Sequence, residues 1–196
     1  MMHALIQFDT ELFLFFNSLH ASWADPMVYL LSKGWFWFPL FLLIIFWVFR
    51  MYRRKGWVVL AVFAITITLS DQTCNLVKNS VCRLRPSHTE AIAEQIHLVQ
   101  KPDGTRYFGG QYGFPSAHAS NTMALAFLVI FFLSKGKKWV VTLALSWSLM
   151  MAYTRLYLGV HYPLDILCGF ILGSCYASMM TFVYRKWLSE IVFNEK

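Results

Sequence analysis

The chain has 196 residues, of which 58% are hydrophobic, 18% aromatic and only 14% charged, with a formal net charge of +7. A soluble domain carries about 25% charged residues, so this composition excludes an ordinary water-soluble domain and points to a polytopic membrane protein. No Ser/Gly/Pro-rich linker, low-complexity tract or repeat of fixed period divides the sequence, so a single membrane domain over 1–196 is expected.

The start of the chain does not read as a secretory signal. Nothing basic precedes "LFLFF" (12–16), and Asp9 and Glu11 stand where a charged leader needs lysines. Over residues 5–20, Ile6, Phe8, Leu12, Phe13, Phe15 and Phe16 interleave with Gln7, Asp9, Glu11 and Asn17. That pattern predicts an interfacial amphipathic helix within 1–24, a sixth span being the alternative. Five membrane helices follow, at 26–49, 57–77, 116–134, 139–154 and 162–184, with "GWFWFP" predicting a bend near Pro39 in the first. The expected fold is all-α, a polytopic bundle of five to six transmembrane helices. Cys74, Cys82, Cys168 and Cys175 lack CxxC spacing and read as small packing residues.

Positive charge sets the sidedness. Arg50, Arg53, Arg54 and Lys55 follow the first span, Lys135, Lys137 and Lys138 the third, and Arg185, Lys186 and Lys196 the fifth. Ten of the seventeen basic residues thus share one face, opposed there only by Glu190 and Glu195. That face, with the C-terminus, is expected to be cytoplasmic. Three polar islands then meet on the other side: "KNSVCRLRP" (78–86), "FPSAHAS" (114–120) and "RLYLGVHYPLD" (155–165).

Each island has a bland reading and a chemical one. Lys78 and Arg85 lie two helical turns apart, so a helix continuing to Pro86 would aim both one way. Alone, they are equally a snorkelling cluster at lipid headgroups, and Arg83, on another face, reads as a headgroup or loop contact. Ser116, Ala117 and His118 open the third span, where free backbone N–H groups and the helix dipole favour an anion. A lone serine there merely caps a helix, but an ionisable His118 at a membrane helix end points to function. Asp165 follows His161 by four residues and can hold one imidazole nitrogen, leaving the other as nucleophile or base. The structural alternative has Asp165 neutralising Arg155. Together, three cations (Lys78, Arg85, Arg155), a hydroxyl, a helix N-terminus and two histidines describe a phosphate cradle. No carboxylate cluster suits magnesium or calcium and no ligand set suits zinc, so chemistry without metal or other cofactor is expected.

These islands resemble the signature of the type 2 phosphatidic acid phosphatase superfamily: K-x6-RP at Lys78 to Pro86, PSGH at 115–118 and SR-x5-H-x3-D at 154–165. Ala117 stands in place of the usual glycine and Thr154 in place of the usual serine. Alanine offers the same backbone N–H, and threonine keeps a hydroxyl. The resemblance implies His161 as the nucleophile that takes the phosphoryl group, Asp165 as its orienter and His118 as the acid for the leaving oxygen. Lys78, Arg85, Ser116 and Arg155 would hold the phosphate oxygens, assisted by amides near Ala117 and His118.

The expected activity is metal-independent hydrolysis of a lipid phosphomonoester or diphosphate through a phosphohistidine, at the outer face of a bacterial inner membrane. Undecaprenyl diphosphate, lipid A and phosphatidylglycerophosphate are the candidate substrates; the bilayer is the other expected partner, and no nucleic acid is. Phosphoryl transfer to a second lipid shares every motif and is separated by product analysis. A non-catalytic anionic-lipid binder would need the cations but not the His161–Asp165 pair. Haloperoxidase chemistry fits poorly with five apolar spans. The outer loop 87–114 is expected to shape headgroup choice, with His88 and His97 as solvated loop residues and "GGQYG" (109–113) as a tight bend or hinge.

Overall fold

The computed structural model describes residues 2–190 and is all-helical among them, apart from two isolated β-bridges. Glu195 and Lys196, assigned above to the cytoplasmic face, lie outside the described residues. Seven α-helices follow in chain order: α1 (Met2–Ser18), α2 (Asp25–Leu31), α3 (Phe38–Tyr52), α4 (Gly56–Val81), α5 (Ala117–Leu133), α6 (Lys138–Tyr157) and α7 (Pro163–Val183). A short π-helical stretch, Tyr184–Leu188, continues α7. By length and composition two helical stretches, 34–81 and 163–188, are apolar enough to cross a bilayer, and Ala117–Leu133 is a shorter apolar helix.

The expected span at 26–49 is interrupted. Lys33 is extended, the Trp37 indole Nε1 donates back to the Leu31 carbonyl at 2.8 Å, and a short 3₁₀ turn, Gly34–Trp37, separates α2 from α3. Pro39 therefore sits in the first turn of α3, where its missing N–H costs nothing, and begins a helix where a bend was predicted. At the other end of α3 the chain folds back through Arg53–Lys55, so that Gly56 lies against Phe49 and Val48.

The pairing of α5 with α7 positions the rest. Gly169, Gly173 and Ala177 recur every fourth residue on α7 and face Ser116, Ser120 and Ala124, at the same spacing on α5. A methyl group at Gly169 would lie 2.5 Å from the Ser116 carbonyl oxygen, and one at Gly173 would collide with the Ser120 carbonyl. Small residues let two membrane helices approach backbone to backbone. One consequence is that the Ser116 N–H donates to the Asp165 carbonyl at 2.9 Å, locking the N-termini of both helices together. At the opposite end Val59, Leu128, Phe132, Met180 and Tyr184 form the largest apolar cluster.

The outward surface is apolar: Phe46, Trp57, Leu76, Leu143, Ile171 and Phe182 are all exposed. Helix α1 also exposes apolar side chains, and it divides the expected polar face: Gln7 and Glu11 are exposed, Asp9 and Asn17 are not. Asp9, Phe13 and Asn17 are buried on one stripe, whereas Leu5, Ile6, Phe8 and Phe15 are exposed. Asp9 and Asn17 point inward because they have backbone to serve. Asn17 Nδ2 donates to the carbonyls of His97, Leu156 and Tyr157, and its Oδ1 accepts the His97 N–H at 2.7 Å. Asp9 Oδ1 accepts the Leu164 N–H at 2.8 Å, in the first turn of α7.

Candidate active site

All eight singled-out residues lie at one end of the bundle, which collects the C-terminal turns of α4 and α6 and the N-terminal turns of α5 and α7. Lys78 lies in the last turn of α4, Arg155 in the last turn of α6, Ala117 and His118 in the first turn of α5, and Asp165 in the first turn of α7. The positive dipole ends of α5 and α7 therefore meet the side-chain cations there, while Lys78 and Arg155 offset the negative dipole ends of α4 and α6.

Lys78 and Arg85 do not share a helix. Helix α4 ends at Val81, Cys82 takes a left-handed conformation (φ 53°), and residues 83–85 run extended. That strand-like segment pairs with 111–113: the Arg85 N–H donates to Gln111 O, the Gly113 N–H to Arg83 O, and Arg85 Nε to Tyr112 O at 3.0 Å. Backbone of the 87–114 loop thus aims the guanidinium. The glycines of "GGQYG" make the room: Gly109 has φ +68°, and a methyl group on it would lie 2.5 Å from Arg85 Nη1. A methyl group on Gly113 would touch Asp165 Oδ2 (2.9 Å), Arg85 Cγ (3.2 Å) and His161 Nδ1 (3.5 Å) together. Gly113→Ala is therefore expected to lower kcat about tenfold or more, since a displacement of about 1 Å at a reacting group can cost 10²-fold. Phosphate release per folded molecule checks it.

His161 is 2% exposed, in the turn between α6 and α7, and its Nδ1 lies 3.4 Å from Asp165 Oδ2. Asp165 is fully buried, and the same Oδ2 accepts the Tyr162 N–H at 2.9 Å. The counter-charge of Asp165 is Arg83, not Arg155. Arg83 Nη1 donates to Asp165 Oδ1 at 2.7 Å, Nη2 pairs with Asp9 Oδ2, and the guanidinium covers the Tyr162 ring at 4.2 Å. The headgroup role expected for Arg83 is thereby corrected: it bridges two buried carboxylates. The sequence signal was present in its two partners, since buried acids in a membrane chain demand a cation.

Arg155 is 2% exposed and, among the described residues, has no carboxylate within ion-pair distance; Nε and Nη2 donate to Thr154 Oγ1 at 3.1 and 3.0 Å. Lys78 and Arg85 likewise form no ion pair among the described residues, so three cations stand without a direct carboxylate partner. The bland reading of Ser116 is partly realised, for its Oγ accepts the Ala119 N–H at 3.4 Å. The N–H groups of Ala117 and His118 have no acceptor among the described residues. A cavity of about 370 Å³ opens onto Lys78, Arg85, Ala117 and His118. His161, Asp165, Ser116 and Arg155 do not line it, but Arg155 and His161 are within electrostatic reach of His118. No group of three or more His, Cys, Asp or Glu residues suited to a metal is found among the described residues.

The loop histidines are elsewhere. His97 is half-buried and away from the cavity: it stacks on His20 with ring centroids 3.8 Å apart, and its Nε2 lies 3.0 Å from Asp25 Oδ1. His88 packs near Phe108 with its Nε2 buried.

The family model described as the PAP2 superfamily matches residues 55–188, more than half of the chain. A lipid A 4'-phosphatase of Bacteroides thetaiotaomicron is 36% identical over 195 residues, covering 97% of this chain and 83% of that protein. A second lipid A 4'-phosphatase, from Porphyromonas gingivalis, is 28% identical over 95% of this chain and 76% of its own. The crystal structure of a transmembrane PAP2-type phosphatidylglycerolphosphate phosphatase from Bacillus subtilis shares the fold, with a TM-score of 0.67 at 23% identity over 94% of this chain and 88% of that one. The chain belongs to the PAP2 superfamily and is a phosphatase of its membrane lipid phosphatase branch.

Proposed function

We propose that this protein hydrolyses the phosphomonoester of a lipid headgroup, of the lipid A type, through a phosphohistidine at His161. The observation that carries the reading is the His161–Asp165 contact, at 3.4 Å, within electrostatic reach of Arg85, which with Lys78 lines the cavity. The substrate class follows the two lipid A 4'-phosphatases, which align with nearly the whole chain.

Asp165 holds the Nδ1 proton, so the lone pair lies on Nε2 of His161. The phosphate enters as a monoanion and passes its proton to His118; Nε2 attacks phosphorus, the bond from phosphorus to the lipid oxygen breaks, and His118 gives that oxygen the proton. Lipid alcohol leaves, and a phosphohistidine remains. His118, now neutral, takes a proton from water; the hydroxide attacks phosphorus, the P–N bond breaks, and inorganic phosphate departs. Lys78, Arg85, Arg155 and the free amides of Ala117 and His118 spread the equatorial charge, and Ser116 shapes that turn. Three cations and two helix ends provide this charge stabilisation from the chain itself, so metal independence is part of the proposal.

The proposed setting is a single membrane domain of five to six spans in a bacterial inner membrane, with the site at the periplasmic face and the C-terminus cytoplasmic. Helix α1 docks at the outer end, and 87–114 forms the outer loop. Tested on detergent-solubilised protein, lipid A and phosphatidylglycerophosphate should release phosphate in the presence of a chelator, with vanadate inhibiting. No release from any lipid phosphate, or complete loss with chelator, overturns the reading.

A further inference from the structure

The cavity beneath the cradle has an ordered wall. Along α4, Lys78 is followed one turn down by Asn75, then by Asp71, and then by Ile67, Ala64, Phe63 and Leu60. Opposite it on α5, His118 is followed by Asn121 and Thr122, and then by Leu125. From the outer end inward, α4 reads cationic, then polar, then apolar, and α5 reads imidazole, then polar, then apolar. Phe41, Asn121, Thr122 and Trp147 line the cradle's cavity and also a second cavity of about 470 Å³, otherwise apolar, between α3, α4 and α5.

The middle band carries a carboxylate. Asp71 lines the cavity, with Asn75 Nδ2 donating to its Oδ2 and Asn121 Nδ2 to its Oδ1, each at 3.0 Å. Ser70 Oγ donates to Asn121 Oδ1 at 2.8 Å, fixing that amide. Each carboxylate oxygen retains a lone pair, and Asn75 Oδ1 has no partner among the described residues. An ionisable residue at this depth that lines a polar cavity points to a ligand. A carboxylate about 10 Å along the helix from Lys78 is repulsive to any anion placed between the cradle and the apolar groove. Paired amides and a carboxylate suit O–H and N–H donors instead.

We propose that Asp71, Asn75 and Asn121 select the leaving group, receiving the hydroxyl and amide groups of a phosphorylated sugar and rejecting a second phosphate. This rests on the hydrolase reading above and deepens it. His118 and Asn121 lie on one face of α5, so a leaving oxygen protonated by His118 continues directly into the polar band, with acyl chains in the groove beyond. A polyprenyl diphosphate would instead set its second phosphate against Asp71.

The test compares kcat/KM on lipid A with kcat/KM on a long-chain polyprenyl diphosphate, using purified protein in one detergent. Asp71→Asn, which keeps the shape, is expected to lower lipid A hydrolysis at least about tenfold and to raise diphosphate hydrolysis about threefold or more. Asn75→Asp, a second charge at an exposed position of the same stripe, is expected to lower diphosphate hydrolysis further. Equal losses on both lipids in both variants mean that the band only packs helices, and overturn the proposal. A wild-type preference for the diphosphate overturns it as well. Absence of phosphate release from lipid A by the wild type removes the lipid A reading of the substrate on which this proposal rests.

Discussion

Replacing His161 with glutamine is expected to lower kcat by about 10³-fold or more, the scale seen when a nucleophile is removed from a site whose members act as a unit. The variant should remain folded, because glutamine keeps a polar group in the buried turn. Two measurements check it: phosphate release, and capture of an acid-labile phosphoenzyme in the wild type that is missing from the variant. The same residue sets a pH dependence. Burial pushes the His161 imidazole down to about 4; hydrogen bonding to Asp165 opposes this, while Arg85 and Arg155 add to it. The ring is therefore a free base throughout the neutral range, and lowering the pH through about 4 protonates it and removes the nucleophile. The acid limb of kcat/KM, corrected for the ionisation of the lipid phosphate, is expected near pH 4 and not near the ordinary histidine value of 6.5. A limb at 6.5 would show a solvated ring and sink the geometry of the pair.

How much of this arrangement was legible in advance follows the range of the interactions. Helices α4 to α7 fall within a few residues of their predicted positions, because long apolar stretches bounded by charge are a local signal. The spacing of His161 and Asp165 was equally readable, since four residues on a turn entering a helix bring the side chains together. The break between α2 and α3 was not read, because it depends on Trp37 reaching back to Leu31. The convergence of Lys78 and Arg85 was expected from one continuous helix, yet arises from backbone pairing with residues 111–113, a non-local contact. Two signals were present but unused. The Gly169, Gly173, Ala177 repeat on α7 announces close helix packing. Asp9 and Asn17, read as the wet face of an interfacial helix, are better understood as capping groups for loops that the bundle itself must satisfy.

The second large effect is expected from a residue outside the cavity. Arg83→Met keeps the stem of the side chain and removes its charge, leaving Asp9 (1% exposed) and Asp165 (0% exposed) without their shared cation. Removing one partner of a buried pair costs about 3–5 kcal/mol, and here that loss falls on the carboxylate that orients His161. Because Arg83 does not line the cavity, kcat should fall about 10²-fold while KM for the lipid changes little. Arg83→Lys should recover only part, since one ammonium cannot serve both carboxylates as the planar fork does. A purely structural role predicts fewer active molecules at unchanged turnover; titration of sites with vanadate separates that from slow turnover at every site. Adding Asp9→Asn to Arg83→Met removes one of the orphaned charges and should return about 0.5–3 kcal/mol of the lost stability. If the double variant regains stability but not turnover, Arg83 acts on catalysis through Asp165. The Asp9 contact is then a tether by which helix α1, far away in sequence, holds the first turn of α7 against the nucleophile's orienting carboxylate.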